Sequence, residues 1–581
     1  MQRLEKLIFE QADKTSEAVA VEYNGARLSY RELKEQALEY SRQLRALGLT
    51  SRQSVAILQE RSLKTLPLML GIWEAGGVVV PINPNTPSKM LATMLEDASP
   101  RIIVTDAGLT SHAPNSSNGT GLQPVNEEDD CYVIYTSGSE GRPKGVVGTH
   151  RSLIQYLNWQ VKEFALQGTD VFSQTAPLSF DFSFKELLVP LLCGACVCIA
   201  DRSTVMDARK FVSWAQGNKI TIMCCVPTLL RSILQLSGSP GGGNLFTSLR
   251  ALLISGDMLR WDDVSGCRER FGNDVALYNL YGPTESTIIK LFYPIPETQA
   301  VGSINVPVGR PIDEATVLVV DENDRVCEAG ETGEIVILSP WLARGYLHGE
   351  RMAAQPFCTV EHNGQQSRAY RSGDVGRWLI DGNLELMGRK DRQVKIRGYR
   401  IELNEIESIL SHHSGITDVA VVTSRELDQD GLTGIFCYFT SEDPKLTAED
   451  LRSFAKERLL PQVLSLTRFC RLDKLPLSSN GKVDRQRLES IFETLEAETA
   501  ESTNGDSQTV QQRISGMWEE LLAVEGINPD ANFFELGADS MTAIRLLRRL
   551  REEIHPAVKL DDVYEFPSIS QLSNRVEQLL A

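Results

Sequence analysis

Tyr135-Thr-Ser-Gly-Ser-Glu-Gly-Arg-Pro-Lys-Gly145 is the most informative stretch of this 581-residue sequence. Its three glycines let the backbone turn sharply and present several N–H groups to one concavity. The hydroxyls of Thr136, Ser137 and Ser139, beside Gly138, add donors, and Lys144 adds a positive charge. Together these parts suit a polyphosphate. The segment is not a Walker A loop, because Lys144 lies between Pro143 and Gly145 with no Gly-Lys-Ser/Thr run. An exposed Gly/Ser surface loop is the competing reading, and composition alone does not separate the two.

Around this loop, from Met1 to about Leu386, helical periodicity alternates with short β-rich runs: Ser54–Leu58, Val78–Ile82, Arg101–Thr105, Val197–Ala200 and Ile220–Cys225. Such alternation predicts an α/β core with largely buried parallel strands. Leu4, Leu7 and Ile8 mark an amphipathic helix at the start rather than a secretory signal. Turn signals at Asp321-Glu-Asn-Asp324 and Gly330 predict a hairpin between Thr316–Val320 and Glu334–Leu338. A smaller α+β unit begins near Gly388, with a helix over Asn404–His412 and strands over Val419–Thr423 and Gly434–Phe439. Glu493–Gln508 is dense in Glu, Ser and Thr, with Gly505 among them, and reads as a flexible linker. Helical patterns at Val510–Leu522, Ser540–Arg551, Leu560–Glu565 and Ser568–Leu580 predict an all-α four-helix bundle. The expected division is 1–387, 388–492, 493–508 and 509–581.

A 42% hydrophobic, 23% charged composition excludes a disordered or collagenous chain. The net charge of −18 discourages non-specific attraction to nucleic acid or anionic lipid. The uncharged, strongly apolar stretch Leu187–Ala200 is too short to span a bilayer and reads as buried core. Of the 11 cysteines, Cys193, Cys196, Cys198, Cys224 and Cys225 sit in apolar runs. They lack the regular pairing and polar or His neighbours of a disulfide framework or zinc site, and are expected to be buried thiols. The expected compartment is a reducing one, the cytoplasm.

The loop is one of an ordered series. Leu28-Ser-Tyr-Arg-Glu-Leu33 and Ala75-Gly-Gly-Val-Val-Val-Pro81 precede it. Phe180-Asp-Phe-Ser183, Asn279-Leu-Tyr-Gly-Pro-Thr-Glu285, Gly333-Glu334, Ala343-Arg-Gly-Tyr346 and Tyr370-Arg-Ser-Gly-Asp374 follow it. Then come Gly388-Arg-Lys-Asp-Arg-Gln-Val-Lys-Ile-Arg-Gly398, Arg400-Ile-Glu-Leu403 and Asn480-Gly-Lys-Val-Asp-Arg485. This series resembles the adenylate-forming superfamily, and specifically the amino-acid adenylation domains of nonribosomal peptide synthetases. Further on, Asn532-Phe-Phe-Glu-Leu-Gly-Ala-Asp-Ser540-Met541 resembles a peptidyl carrier signature.

The resemblance implies that a carboxylate and ATP give an acyl-adenylate and pyrophosphate. That chemistry needs charge neutralised at the α-phosphorus, by Mg2+ and an aimed lysine. Glu285 resembles the magnesium-binding carboxylate, Thr284 a phosphate contact and Lys482 the catalytic lysine. Tyr281 resembles the adenine-stacking aromatic, with Gly282 beside it. Asn279 resembles an adenine partner, Asp374 the ribose-binding carboxylate and Arg389 a further ribose–phosphate contact. Asp391 resembles a hinge between large and small lobes. Ser540 resembles the serine that accepts 4'-phosphopantetheine. Taken singly, Lys482 is a solvated surface lysine, Glu285 or Ser540 a helix cap and Asp374 turn chemistry; the ordered company favours the functional readings.

By the same resemblance the substrate pocket is lined by Asp181, Phe182, Lys185, Cys224, Leu253, Ser255, Leu280, Ile288 and Ile289. Asp181 matches the position that pairs with a substrate α-ammonium, which favours an amino acid. Lys185 is unusual in so apolar a lining. A buried cation needs an anion, supplied by the substrate side chain or by Asp181 four residues back; alternatively Lys185 snorkels out. An acidic amino acid and a small zwitterion both remain open. Three departures stand out: Glu140 in the phosphate loop, Leu459-Leu-Pro-Gln-Val463 and Asn83.

The expected function is activation of an amino acid and its transfer as a thioester to the carrier in the same chain. The expected partners are a phosphopantetheinyl transferase and downstream condensation, reductase or thioesterase domains, with no nucleic acid and no membrane. An acyl-CoA synthetase-like ligase and a non-catalytic scaffold are the rival readings. Whether the chain stands alone or is a piece of a larger synthetase is open.

Overall fold

A computed structural model describes residues 3–112, 125–137, 142–236, 245–297, 305–349, 356–390, 392–396, 399–423, 434–441, 443, 445–464, 466–472, 474–476, 483–485, 487–489, 509–522, 527–534, 536, 538 and 540–580. Two large sheets share one core. In the nine-stranded sheet, Val19–Tyr23, Cys196–Ile199, Val171–Gln174, Ile222–Cys225, Ala251–Ser255 and Ala276–Tyr281 run parallel. Antiparallel strands close its two edges. The seven-stranded sheet has Val78–Pro81, Ser54–Leu58 and Ile102–Thr105 in parallel, and the antiparallel pair Asp130–Thr136 and Lys144–Thr149 towards one edge. Helices Thr65–Glu74, His150–Glu163 and Phe182–Cys193 join both sheets in one hydrophobic cluster, with Trp73, Leu157, Leu187, Val55, Val79, Val197 and Leu253 all buried. Helices covering a sheet explain why these strands read as near-continuous apolar runs.

The early motifs turn out to be local structural devices. In Leu28–Leu33, the Ser29 hydroxyl accepts from the Glu32 N–H to cap the Tyr30–Ala46 helix, and the Ser29 N–H donates to the Glu32 carboxylate, a capping box. The Tyr30 hydroxyl reaches 165 residues along the chain to donate to the Ala195 carbonyl at 2.7 Å. At the other motif, Gly76 has φ +87°, a left-handed conformation that ends the Thr65–Glu74 helix and feeds Val78–Pro81.

The predicted hairpin is part of a larger antiparallel sheet of five strands: Thr316–Val320, Thr332–Leu338, Gln365–Trp378, Phe357–His362 and Leu384–Arg389. In the small lobe, a hairpin (Gln393–Ile396, Tyr399–Glu402) precedes the Leu403–Ser411 helix and a three-stranded sheet of Asp418–Thr423, Ile435–Thr440 and Thr467–Arg471. The two faces of that sheet carry separate clusters. One holds Ile406, Leu410, Val421, Cys437, Leu451 and Leu459; the other holds Ala420, Val422, Phe436 and Tyr438, with Val483 packed on it. The C-terminal unit has helices Val510–Leu522, Ser540–Glu553, Leu560–Glu565 and Ile569–Leu580 around Trp518, Phe533, Leu546, Val563 and Leu572.

All 11 cysteines are free. Cys198, Cys224 and Cys225 are buried as expected, whereas Cys193 and Cys196 are only half-buried: Cys193 ends its helix and Cys196 opens the next strand. Among the described residues no helix is long and apolar enough to cross a membrane.

Candidate active site

A cavity of about 610 Å³ opens where the three units meet. The large unit contributes Thr136, Ser137 and Pro143 from the two ends of the phosphate-type loop, Asp181 and Phe182 from a helix start, and Gly282, Pro283, Thr284, Asp374 and Arg389. The small lobe contributes Ile401, Glu405, Ile406, Leu459, Leu460, Pro461 and Val463, and the C-terminal unit Leu521, Leu522, Leu536 and Thr542. The departing stretch Leu459–Val463 is thus packed in the lobe core and faces the cavity. Gly138, Ser139, Glu140, Asp391 and Lys482 lie outside the described residues.

Asp374 sits inside the Gln365–Trp378 strand rather than in a turn, and two partners hold it. Arg389 forms an ion pair with it at 2.5 Å, and the Tyr281 hydroxyl donates to its other oxygen. Burial and the neighbouring carboxylate both push the Tyr281 phenol well up, so it stays a donor. Asn279 spends its amide N–H groups on the Val306 and Pro307 carbonyls, at 3.2 and 2.9 Å, and so anchors the adjoining backbone. Gly282 is required sterically, because a Cβ there would lie 2.4 Å from the Ile288 carbonyl oxygen. That approach comes from a strained turn in which the β-branched Thr287 and Ile288 have φ of 70° and 65°.

Glu285 is buried in a single 3₁₀ turn, Thr284–Ser286, and accepts a 2.7 Å hydrogen bond from the Tyr346 hydroxyl. The Lys144 ammonium lies 5.9 Å from the centre of the Tyr346 ring. One tyrosine therefore links the loop lysine to the carboxylate. The signal for Tyr346 in the sequence is its place in the ordered motif Ala343-Arg-Gly-Tyr346.

Sheet register brings together four of the residues expected at the substrate pocket, though Cys224, Leu253, Ser255, Leu280, Ile288, Ile289 and Lys185 stand behind the cavity lining rather than in it. Cys224 pairs with Leu253 and Ser255 with Leu280 across adjacent parallel strands, and Leu253 and Ser255 are two residues apart, so all four share one sheet face. All four are buried, as are Ile288 and Ile289. Asp181 precedes the Phe182–Cys193 helix; burial pushes its carboxyl up to about 7, with the Thr284 hydroxyl pulling it down and Glu285 pushing it further up. Lys185, one turn later, is 0% exposed, and its ammonium sits 4.3 Å from the Phe182 ring centre. It does not snorkel. Moving an ammonium out of water costs several kcal/mol, and an aromatic face returns about 2 kcal/mol. Glu186, missed by the sequence reading, accepts from the Thr175 and Ala176 N–H groups, both at 2.9 Å, and from the Thr175 hydroxyl at 3.0 Å, fixing the cavity wall.

At the mouth, the Ser540–Glu553 helix packs against the Pro227–Leu234 helix, and Arg209 pairs with Glu565 at 3.1 Å. Ser540 is the first residue of its helix, and Thr542, two residues on, lines the cavity. A Lys89–Glu457 pair at 2.8 Å ties the small lobe to the large unit. The cavity-facing side of that lobe is the one carrying Ile406 and Leu459, whereas Val483 packs on the opposite sheet face.

This geometry coincides with the family comparison: the AMP-binding enzyme profile matches residues 8–347, spanning the phosphate-type loop, Asp181, Glu285 and Tyr346. The chain belongs to the AMP-binding enzymes. This AMP-binding enzyme also matches the family's C-terminal domain over residues 405–482 and a phosphopantetheine attachment site over 512–576. Among its relatives, bacitracin synthase 1 of Bacillus licheniformis is 31% identical over 589 residues, and gramicidin S synthase 2 of Brevibacillus brevis 32% over 599. Each alignment covers 99% of this AMP-binding enzyme, but only 11% of the first synthase and 13% of the second. An artificially fused adenylation–PCP didomain, NpsA-ThdA from Klebsiella oxytoca, superimposes with a TM-score of 0.69 at 26% identity, covering 79% of this chain and 91% of the other. A holo nonribosomal synthetase protein with adenylation and PCP domains, bound to a vinylsulfonamide inhibitor, shares the fold at a TM-score of 0.76 and 23% identity, covering 99% and 97% of the two chains.

Proposed function

We propose that this AMP-binding enzyme activates an amino acid with ATP and passes the acyl group to a phosphopantetheine thiol carried by Ser540. The observation that carries the reading is one shared cavity: Asp181, Thr284 and Asp374 line it together with Thr542 of the attachment-site unit. An acyl-CoA synthetase-like ligase has no use for such an attached unit.

In this reading Asp181 holds the substrate α-ammonium, which points the carboxylate towards Thr284. Asp374 takes the ribose hydroxyls, with Arg389 and Tyr281 fixing its orientation. Tyr281 and Asn279 shape the adenine site. Thr136, Ser137, Gly138, Ser139 and Lys144 bind the phosphates. Lys482 lies outside the described residues and is proposed to neutralise charge as the carboxylate attacks the α-phosphorus. Glu285 fits as a magnesium ligand. It is a buried carboxylate oriented by Tyr346, and magnesium is commonly held by one or two carboxylates plus substrate phosphates. The ion, when bound, supplies Lewis-acid stabilisation of the phosphates. Phosphopantetheine, when attached to Ser540, would supply the thiol that accepts the acyl group; Thr542, two residues away, lines the same cavity as Asp181.

The arrangement of the lobes supports a transfer state, since Val483, which follows Lys482 in sequence, packs on the lobe face turned from the cavity. Rotation about Asp391 is proposed to carry Lys482 to the nucleotide for the first step. The proposed division is a core of 1–387, a mobile lobe of 388–492, a linker of 493–508 and a carrier of 509–581. A phosphopantetheinyl transferase is the obligatory partner, and condensation, reductase or thioesterase domains are the proposed acceptors. The 11 free thiols favour the cytoplasm.

Amino-acid-dependent ATP–pyrophosphate exchange tests the first half. Lys482→Ala should nearly abolish exchange and spare ATP binding; equal exchange rates refute its assignment. Ser540→Ala should keep exchange and lose the covalent acyl protein. A mutant that still gains the pantetheine mass refutes the attachment site.

A further inference from the structure

We infer that the activated amino acid carries a side-chain carboxylate, and that Lys185 receives it behind the Phe182 ring; this rests on the amino-acid-activation reading above. Lys185 is wholly buried and its ammonium makes no hydrogen bond. A buried cation demands an anionic partner; Asp181 and Glu186 act on Lys185 through their charge, but neither hydrogen-bonds its ammonium. Glu186 is occupied by the Thr175 and Ala176 backbone and the Thr175 hydroxyl. Asp181 leaves its Oδ2 unbonded, so the two groups do not satisfy each other even though they lie four residues apart across the helix start.

The Phe182 ring lies 4.3 Å from the ammonium, and Phe182 itself lines the cavity. The ring is thus the partition between the open site and the buried charge. A turn of this side chain exchanges a cation–π contact for an ion pair, which is the stronger partner for a desolvated ammonium. Asp181 and Lys185, opposite in sign and one helical turn apart, sit about 5–6 Å from each other at Cβ. That spacing suits a ligand with an α-ammonium at one end and a carboxylate two or three carbons away.

The test is exchange by the full-length protein with aspartate, glutamate and 2-aminoadipate, against asparagine, glutamine, glycine, alanine and β-alanine. One of the acids should exceed its amide by at least about 100-fold in kcat/KM. Lys185→Met should remove that preference, mainly through KM, while Lys185→Arg retains part of it and controls for folding. A neutral amino acid as best substrate overturns the inference and leaves the activation reading standing, and an acid preference unchanged in Lys185→Met overturns the role of Lys185. No exchange with any amino acid overturns both.

Discussion

Asp374 and Arg389 are register partners on neighbouring antiparallel strands, and their side chains close a nearly buried ion pair. With Tyr281 donating from the parallel sheet, the pair pins the two sheets together at the cavity wall. Charge-assisted hydrogen bonds of this kind are worth about 1.5–3 kcal/mol each. Asp374→Asn is expected to raise the KM for ATP about 10–100-fold, with little change in the KM for the amino acid. Exchange assays at varied ATP, beside a melting curve, separate binding from folding. An unchanged KM for ATP in a folded protein counts against Asp374 as the ribose ligand.

Tyr346 places the Glu285 carboxylate through one 2.7 Å hydrogen bond. Tyr346→Phe deletes that donor and keeps the ring beneath Lys144. The expected loss is about 1 kcal/mol, or about fivefold in exchange rate, with a higher magnesium requirement. Glu285→Gln should cost far more, and stripping magnesium with a chelator should abolish exchange in the parent protein. A magnesium titration of the three proteins checks the order; a Tyr346→Phe curve lying on the parent curve removes Tyr346 from the site.

The motif residues were legible because their order, not any one side chain, carried the information: Asp181, Thr284, Asp374 and Arg389 do converge on one cavity. Other features depended on packing that no local pattern records. The Gln365–Trp378 strand is rich in Gly, Ser, Gln and Arg and looks like loop, yet its burial alternates along much of its length because one face covers the antiparallel core. Sequence left Lys185 free to snorkel, to pair with Asp181 or to await a ligand; only its complete burial without a hydrogen bond distinguishes these. Tyr346 gained a role only when a strand pairing brought it beside Lys144–Thr149 and Glu285.

Asp181 gives the site a pH dependence. Its carboxyl, pushed up to about 7 by burial, is largely protonated below neutrality in the ligand-free protein, and only the ionised form pairs with an ammonium. The KM for the amino acid should therefore rise about tenfold per pH unit below 7 and flatten above it. The unfolded chain releases this proton near 3.8, so the folded state binds it more tightly. The stability contributed by Asp181 is thus full below about pH 4 and is lost as pH rises through 7. Asp181→Asn should erase both trends. A KM profile with no inflection between pH 6 and 8 in the parent protein would falsify this assignment.

Docking of the attachment-site unit rests partly on the Arg209–Glu565 pair, whose side chains are 32% and 58% exposed. Exposed pairs contribute about 0–1 kcal/mol and are screened by salt, so the effect belongs to transfer rate rather than to fold. Arg209→Glu should slow self-acylation of the phosphopantetheinylated protein about two- to fivefold at low salt, and leave ATP–pyrophosphate exchange unchanged. Combining it with Glu565→Arg should restore the rate, and added salt should shrink the difference. Single-turnover acylation with a radiolabelled amino acid reads all three effects. Equal rates in the parent, the single variant and the double variant at low salt would mean that this contact does not guide the Ser540 helix to the cavity.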